Sequence, residues 1–469
     1  MANQNAVPMH FNEITHICCI GARHASIMSM AVIAEAHPNI TVTIVDFDLN
    51  VLEPWVARDV DLVEPGFEQL LDEVLDVNMF FSDQVQESIN EAQMIFIGVE
   101  IPIKRRGIGA RSRLDLTQWE LAIRSIMAAS VASKVIVEKT TMPIDVFNHT
   151  TRLLGQRPQN QQNLVQFAVF SNPDLYTPGR AIEDLRNPDQ VVIARKSNVG
   201  NVNVLVQLYA EIVENPDRII VLSDHVSAEL AKIGTSVAIG AKITLMSMIA
   251  TVCDKTGANF NSVRQVIGGD YRLNNNYMDA TLGIGGPDLM KDILYFKGTL
   301  RENGLATQAS LVNQIVKLSK KRIKEFVELV LTNMVSLNNK VIAVFGVTYK
   351  SNIADLTNSP AIAVCKSLLK EGAILRIFDP LVTEGAIMGC FRNTNRVEVA
   401  ANQQAAYNQA HATLCLVATD LQFDFAGMSA AMTIPPYLFI ACNLDNIDVV
   451  DIRALGFQLY IFGNQFPLN

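Results

Sequence analysis

Along the first 222 residues, short uninterrupted apolar runs alternate with stretches of helical spacing. The runs lie at 14–20, 41–45, 94–99, 134–137, 165–170, 190–193 and 219–222. They are rich in Val and Ile and do not alternate with polar residues, which predicts parallel strands covered on both faces. The pattern changes near Ser223. From Ser227 to Cys253, Ala, Ile, Met and Leu recur at helical spacing with no proline, predicting one long helix capped by Asp224 or Ser227. Gly234 and Gly240 lie within it and predict close helix packing. Helical patterns continue to about Asn333. A second series of β runs follows at 341–346, 374–378, 411–417, 437–441 and 458–462.

Both series open in the same way. The run at 14–20 enters the turn Gly21-Ala22-Arg23-His24-Ala25-Ser26, and the next run ends in Asp46. The run at 341–346 enters a turn at Gly346, and its successor ends in Asp379-Pro380. Strand, glycine turn, helix, strand and acid form the unit that holds dinucleotides, with the acid about 25 residues past the first glycine. The predicted fold is therefore α/β, with two Rossmann-like doubly wound domains joined by a central helical domain that has one long spine helix. The expected divisions are a flexible N-terminus at 1–12, a first Rossmann-like domain at 13–223, a central helical domain at 224–335 and a second Rossmann-like domain at 336–469.

The first turn departs from GxGxxG. Arg23 stands where the backbone should approach a pyrophosphate, and Ser26 stands where a glycine allows helix and strand to pack closely. Asp46 reads either as a ribose ligand or as a strand cap. Arg23 reads either as a direct phosphate ligand or as a plug in the turn; phosphates are ordinarily held by backbone donors at a helix N-terminus.

Composition narrows the class. The chain has 469 residues, 49% of them hydrophobic, which exceeds one core and calls for two or three domains. A formal net charge of −9 argues against a nucleic-acid surface. The opening residues lack the apolar core of a signal peptide, and no run reaches the ~18 consecutive apolar residues of a membrane span. Seven scattered Cys with no CxxC, and seven His without ligand spacing, predict buried free thiols and no metal site. A cytoplasmic protein that binds neither membrane nor nucleic acid is the expectation.

Several segments, taken in order, resemble the UDP-glucose/GDP-mannose dehydrogenase family. They are Ile17-Cys18-Cys19-Ile20-Gly21-Ala22, Glu64-Pro65-Gly66, Glu138-Lys139-Thr140-Thr141-Met142-Pro143, Ser171-Asn172-Pro173-Asp174, Asp184 to Asp189, Gly283-Ile284-Gly285-Gly286, Lys291-Asp292, Gly346 with Tyr349-Lys350, and Phe378-Asp379-Pro380. The resemblance implies two NAD-dependent oxidations of a sugar alcohol through a thioester on a cysteine, with a carboxylate activating water.

On that resemblance, the cysteine position is Asp288, behind Pro287. The glutamate of an Asn-Pro-Glu motif is Asp174, and a second glutamate aligns with Pro178. The central-helix lysine is Lys232, its asparagine neighbour is Ser236, and Asp292 keeps the family's acid. Lys139, Thr140 and Thr141 match the segment bordering nicotinamide and substrate. Gly21, Arg23 and Asp46 complete the cofactor positions, with Val99-Glu100-Ile101-Pro102 replacing a Val-Asn-Thr-Pro-like stretch. Gly285, Tyr349, Lys350 and Arg272 fall at substrate positions. Two expected lysines are Asn276 and Asp279, and an expected arginine is Leu444. The nearest thiol, Cys253, lies inside the long helix, where packing would keep it from replacing the nucleophile.

Three functions follow from this pattern. The first is a catalytically inactive homologue with a structural or regulatory role through oligomerisation. It would form a homo-oligomer (dimer or hexamer) or a hetero-oligomer with an active paralogue. The second is a module that binds a nucleotide or UDP-sugar without turnover. The third is an NAD-dependent dehydrogenase of altered chemistry. No cofactor is expected, and NAD is the one the fold would take.

Overall fold

The computed structural model describes residues 10–60, 63–144, 147–154, 165–195, 200–392, 394–418, 422–444 and 448–463. Most of the N-terminus read as flexible lies outside them; Phe11, within them, packs edge-on against His37 with ring centroids 5.4 Å apart. The chain divides into two compact units, Met1–Thr235 and Ser236–Asn469. The division falls inside the helix His225–Thr256.

The first unit is built on eight strands: β1 (His16–Ile20), β2 (Thr41–Val45), β3 (Met79–Ser82), β4 (Met94–Ile97), β5 (Lys134–Glu138), β6 (Phe167–Ser171), β7 (Val191–Arg195) and β8 (Ile219–Leu222). Their order is β3-β2-β1-β4-β5-β6-β7-β8. The first six form a parallel sheet that reverses direction of growth at β1, the arrangement of dinucleotide-binding folds. The all-parallel expectation fails at one place: β7 runs antiparallel to β6, with Phe170 opposite Arg195, and β8 then continues parallel to β7. The helix His24–Ala36 buries residues on nearly all sides because it is packed between the sheet and outer helices.

The second unit carries six parallel strands: β9 (Val341–Phe345), β10 (Ile374–Phe378), β11 (Val397–Val399), β12 (Ala412–Cys415), β13 (Tyr437–Ile440) and β14 (Gln458–Ile461). Their order, β11-β10-β9-β12-β13-β14, repeats that of the first six strands. The structure thus has two Rossmann-like sheets separated by a helix-rich middle. Two short strands escaped the reading of apolar runs, β3 and β11, both at sheet edges.

The long helix begins where the sequence placed its cap, with the Ser227 amide donating to Asp224 Oδ1 at 2.8 Å. Gly240 is a packing glycine, since an added Cβ would lie 2.5 Å from Ile293 Cδ1. At Gly234 nothing among the described residues lies within 4 Å of the Cβ position. Among the described residues this is the one helix long and apolar enough to cross a membrane by length and composition. Its first turns nonetheless bury a carboxylate: Glu229 accepts hydrogen bonds from the Met142 amide at 2.9 Å and from Ser171 Oγ at 2.6 Å.

Candidate functional site

The residues singled out in the sequence are divided between the two units. In the first, β1 and β4 are neighbours, so the loops after them meet at the point where the sheet reverses. Gly21 has φ +117°, and a Cβ there would come within 2.6 Å of the Gly98 carbonyl carbon and the Val99 nitrogen. The position therefore requires glycine. Ser26, at the third-glycine position, fills the matching space: its Oγ donates to the Gly98 carbonyl at 2.9 Å, and a Cβ on Gly98 would lie 2.0 Å from that oxygen.

Arg23 precedes the helix His24–Ala36 and makes no capping bond. Its guanidinium instead pairs with Glu100 at 3.4 Å. The two departures flanking the dinucleotide turn thus neutralise one another. Both side chains are about half exposed, at 45% and 58%, so this pair contributes little to stability, about 0–1 kcal/mol. Its consequence is occupancy of the turn.

Asp46 is committed to the backbone. Its Oδ2 accepts from the Ala22 amide at 2.9 Å and its Oδ1 from the Asp48 amide at 2.9 Å. The second unit repeats this wiring: Asp379 Oδ2 accepts from the Val347 amide at 2.8 Å and Oδ1 from the Leu381 amide at 3.1 Å. Burial pushes the Asp379 carboxyl above its ordinary range while these backbone donors pull it back. In both units the acid pins the residue after the turn glycine to the end of the second strand.

Lys139 and Asp174 follow adjacent strands, β5 and β6, and form a buried ion pair of 2.6 Å. Lys139 Nζ also donates to Asn172 Oδ1 at 3.2 Å and to the Tyr209 hydroxyl at 3.3 Å. Tyr209 in turn donates to Asn172 Oδ1 at 2.5 Å, and Ser29 Oγ donates to Asp174 Oδ1 at 3.3 Å. Burial alone would lower the Lys139 pKa, but the fields of Asp174 and Tyr209 and their hydrogen bonds overcome it and hold the ammonium above its usual range. Asp174 is thus paired with a buried cation. Thr141 is buried beside this group in sequence, Thr140 Oγ1 donates to the carbonyls of Ile97 and Val99, and Lys232 is half-buried on the long helix.

In the second unit, the segment Gly283 to Gly286 lies against Tyr349. A Cβ on Gly285 would meet Tyr349 Cβ at 2.6 Å, and one on Gly286, at φ +87°, would lie 2.9 Å from Tyr349 Cε2. The Gly286 amide donates to the Thr357 carbonyl at 3.0 Å. Lys350, half-buried, accepts from Thr348 Oγ1 through its carbonyl at 2.7 Å. Asp288 occupies the position before the helix Leu289–Glu302, is 59% exposed, and accepts from Lys291 Nζ at 2.7 Å. Asp292 is buried and accepts from Ser236 Oγ at 2.7 Å.

Arg272 stays apart from these residues. It is 72% exposed and turned back onto Asp270 through two hydrogen bonds of 2.9 and 2.6 Å. Asp279 pairs with Arg264. Leu444 is packed against the second sheet's apolar core. Cys253 is 3% exposed, and burial raises its thiol pKa; burial pushes the Cys442 thiol up to about 12. No cluster of His, Cys, Asp and Glu able to hold a metal occurs among the described residues.

Residues 15–213 match the NAD binding domain of the UDP-glucose/GDP-mannose dehydrogenase family, residues 226–321 its central domain and residues 343–443 its UDP binding domain. UDP-glucose 6-dehydrogenase 3 of Arabidopsis thaliana is 32% identical over 477 residues, covering 97% of each chain. The chain belongs to the UDP-glucose/GDP-mannose dehydrogenase family. UDP-glucose 6-dehydrogenase 1 of Glycine max is likewise 32% identical, over 97% of each chain. Among solved structures, a UDP-glucose dehydrogenase from Pyrobaculum islandicum shares the fold at TM-score 0.80, with 21% identity and 99% coverage of both chains. A UDP-D-ManNAc dehydrogenase from Pyrococcus horikoshii does so at 0.78, with 19% identity, over 96% of this chain and 99% of that one.

Within this family fold, three features went unread in the sequence. The Arg23–Glu100 pair joins residues 77 positions apart, and only the adjacency of β1 and β4 brings them together. Tyr209 completes the Lys139 network from the helix Asn203–Ala210, which carries no motif of its own. Glu229 was hidden in the apolar pattern of the long helix.

Proposed function

We propose that this chain is a non-catalytic member of its family, with a structural or regulatory role exerted through assembly. The observation that carries this reading is Asp288. At the position the family resemblance assigns to the catalytic cysteine, a carboxylate cannot form the thioester through which the second oxidation runs, and its charge opposes an oxyanion. Two further arrangements support the reading: the Arg23–Glu100 pair stands in the dinucleotide turn, and Asp174 is held by Lys139. NAD is the cofactor the first domain would take, and none is needed for the proposed role.

Assembly would use the long helix, which leaves Leu245, Met248 and Val252 exposed along it at 54%, 48% and 60%. The partner is a second copy, in a dimer or hexamer, or an active paralogue in a mixed oligomer. Nucleic acid and membrane are not partners in this reading, and the setting is cytoplasmic. A second reading, UDP-sugar binding without turnover, draws on the Tyr349 ring packed over Gly286 with Lys350 next to it.

Calorimetric titration with NAD and with UDP-glucose, with solution mass recorded in parallel, tests the proposal. The expected result is a defined oligomer and no heat of NAD binding. UDP-glucose binding alone would select the second reading; binding of both ligands by a monomer would overturn the first.

A further inference from the structure

In the second unit, the helix Leu289–Glu302 is followed by the helix Ala306–Met334, and the two share one apolar cluster that includes Ile293, Leu300, Val312 and Val316. Beside this seam the two helices gather cations. Lys317, Lys320 and Lys324 are exposed and lie within about 60° of arc around their helix. On the neighbouring helix, Lys297 is half-buried and the exposed Arg301 stands one turn further on. Burial lowers the Lys297 pKa, and the charges of Arg301 and of Lys320 across the seam lower it further. Lys321 is set apart from this group by its ion pair with Glu325 at 3.4 Å.

Among the described residues, Lys297, Arg301, Lys317, Lys320 and Lys324 form no ion pair and no side-chain hydrogen bond. The acids nearby do not answer them. Glu325 is shared between Lys321 and Arg322. Glu328, one turn past Lys324 on the same face, does not pair with it, and Glu302 is turned about 140° from Lys297 around their helix. Like charges one turn apart on a helix oppose folding. This face keeps them unneutralised in a chain whose net charge is −9, and an anion lying across the seam would remove the repulsion.

We propose that this face binds a compact polyphosphate anion, held by Lys297 and Lys320 across the seam, with Arg301, Lys317 and Lys324 around them. Size selects a compact ligand. The row from Lys317 to Lys324 is about 10 Å long, and packed helices lie about 8–10 Å apart. Lysine ammoniums suit phosphate as point charges, without the planar fork that picks out a carboxylate. Net charge selects against a long polyanion. A nucleic acid or an anionic bilayer would extend past the patch by more than the Debye length of about 8–10 Å and meet a chain that is negative overall. Bound here, the anion would tie the helix that follows Asp288 to its neighbour. The site uses no residue of either sheet, and the proposal does not depend on whether the chain is catalytic.

The test is calorimetric titration of the full chain with sodium tripolyphosphate, ATP and a single-stranded oligonucleotide in turn. Saturable one-to-one binding of tripolyphosphate is expected, with a Kd below about 1 mM at about 50 mM salt and at least about tenfold weaker at about 0.5 M salt. Equal concentrations of UDP-glucose and NAD should leave it unchanged, which separates this face from the nucleotide-binding folds. ATP carries the same charged group, and the tighter of the two identifies whether the anion is free or the end of a nucleotide. Lys297→Gln with Lys320→Gln is expected to weaken tripolyphosphate binding by about tenfold or more. Lys366→Gln with Lys370→Gln, at exposed positions on the helix Pro360–Lys370 of the same unit, should change it by less than about twofold. Circular dichroism checks the fold of both variants, and the competition on the unaltered chain stands without them. Absence of saturable binding up to about 10 mM, displacement by UDP-glucose or NAD, equal weakening in the two folded variants, or tighter binding of the oligonucleotide would each overturn the proposal.

Discussion

Replacing Lys139 with Met is expected to destabilise the first unit by about 3–5 kcal/mol, the usual cost of leaving one member of a buried ion pair without its partner. The pair is well enclosed, with side-chain exposures of 7% for Lys139 and 18% for Asp174, so solvent screening reduces this figure little. The same change removes the donor to Asn172 and Tyr209. A fall in melting temperature on the order of 10 °C follows for a unit of this size. In the unaltered chain the raised Lys139 pKa means that its contribution is complete at neutral pH, below the unfolded value of about 10.4, and is lost only as the pH rises through the folded value. The variant should behave in the opposite sense and regain stability as the pH falls, because protonating Asp174 removes the uncompensated charge. The double variant Lys139→Met with Asp174→Leu should recover most of the loss, since both charges then go together. Thermal melts of the three variants across pH 4–9 would check this. Lys139→Met melting within a degree or so of the unaltered chain would contradict the account of the buried network.

The second large effect concerns the dinucleotide turn. Arg23→Gly combined with Glu100→Asn is expected to raise NAD affinity at least about tenfold, from no detectable binding toward the millimolar range. The reasoning is local. The helix His24–Ala36 still presents its N-terminus to the turn, and a pyrophosphate can use those backbone donors once the Arg23 side chain is gone. Arg23→Gly alone should gain less, since it leaves the Glu100 carboxylate unpaired beside the path of an anion. Glu100→Asn alone frees Arg23 but keeps its bulk in the turn. Ser26 is left in place in all three, because its hydrogen bond to the Gly98 carbonyl fixes the helix on the sheet. Fluorescence titration with NADH separates these cases. Equal affinities for the single and double variants would show that the pair does not occupy the cofactor's path.

Much of this architecture was legible in the chain because parallel strands buried on both faces leave continuous apolar runs, and twelve such runs were readable. β3 and β11 were not: they are sheet-edge strands of four and three residues, too short to stand out from their surroundings. The reversal at β7 was invisible because an apolar run has no direction. At the candidate site, residue types could be read but partnerships could not. Arg23 and Glu100 each looked like an isolated departure until the neighbouring β1 and β4 made them one interaction. Asp46 read either as a ribose ligand or as a strand cap, and its bonds, matched by those of Asp379, give this acid structural work at the turn in both halves. The glycine pattern at Gly234 met no neighbour within 4 Å among the described residues.

The same distinction applies to the exposed groups. Arg272 and Asp288, which the family resemblance assigns to substrate and cysteine positions, are each satisfied locally, by Asp270 and by Lys291. Recruitment to a ligand would require breaking those pairs, in which Arg272 and Asp288 are the exposed members, at 72% and 59%. Local pairing therefore does not decide function at these two positions. In the proposed reading the chemistry of the side chain does: at Asp288, which the family resemblance assigns to the cysteine position, a carboxylate stands where thioester formation needs a thiol.

Production of NADH is the most direct test of that claim. The purified full chain would be incubated with UDP-glucose and NAD, free of any co-purifying dehydrogenase by mass spectrometry, and followed at 340 nm, with Asp174→Asn as the control. The account predicts no NADH above the protein-free rate, and the same result for the control. Sustained NADH formation that is lost in Asp174→Asn would contradict it and make this chain a dehydrogenase that works without the thiol.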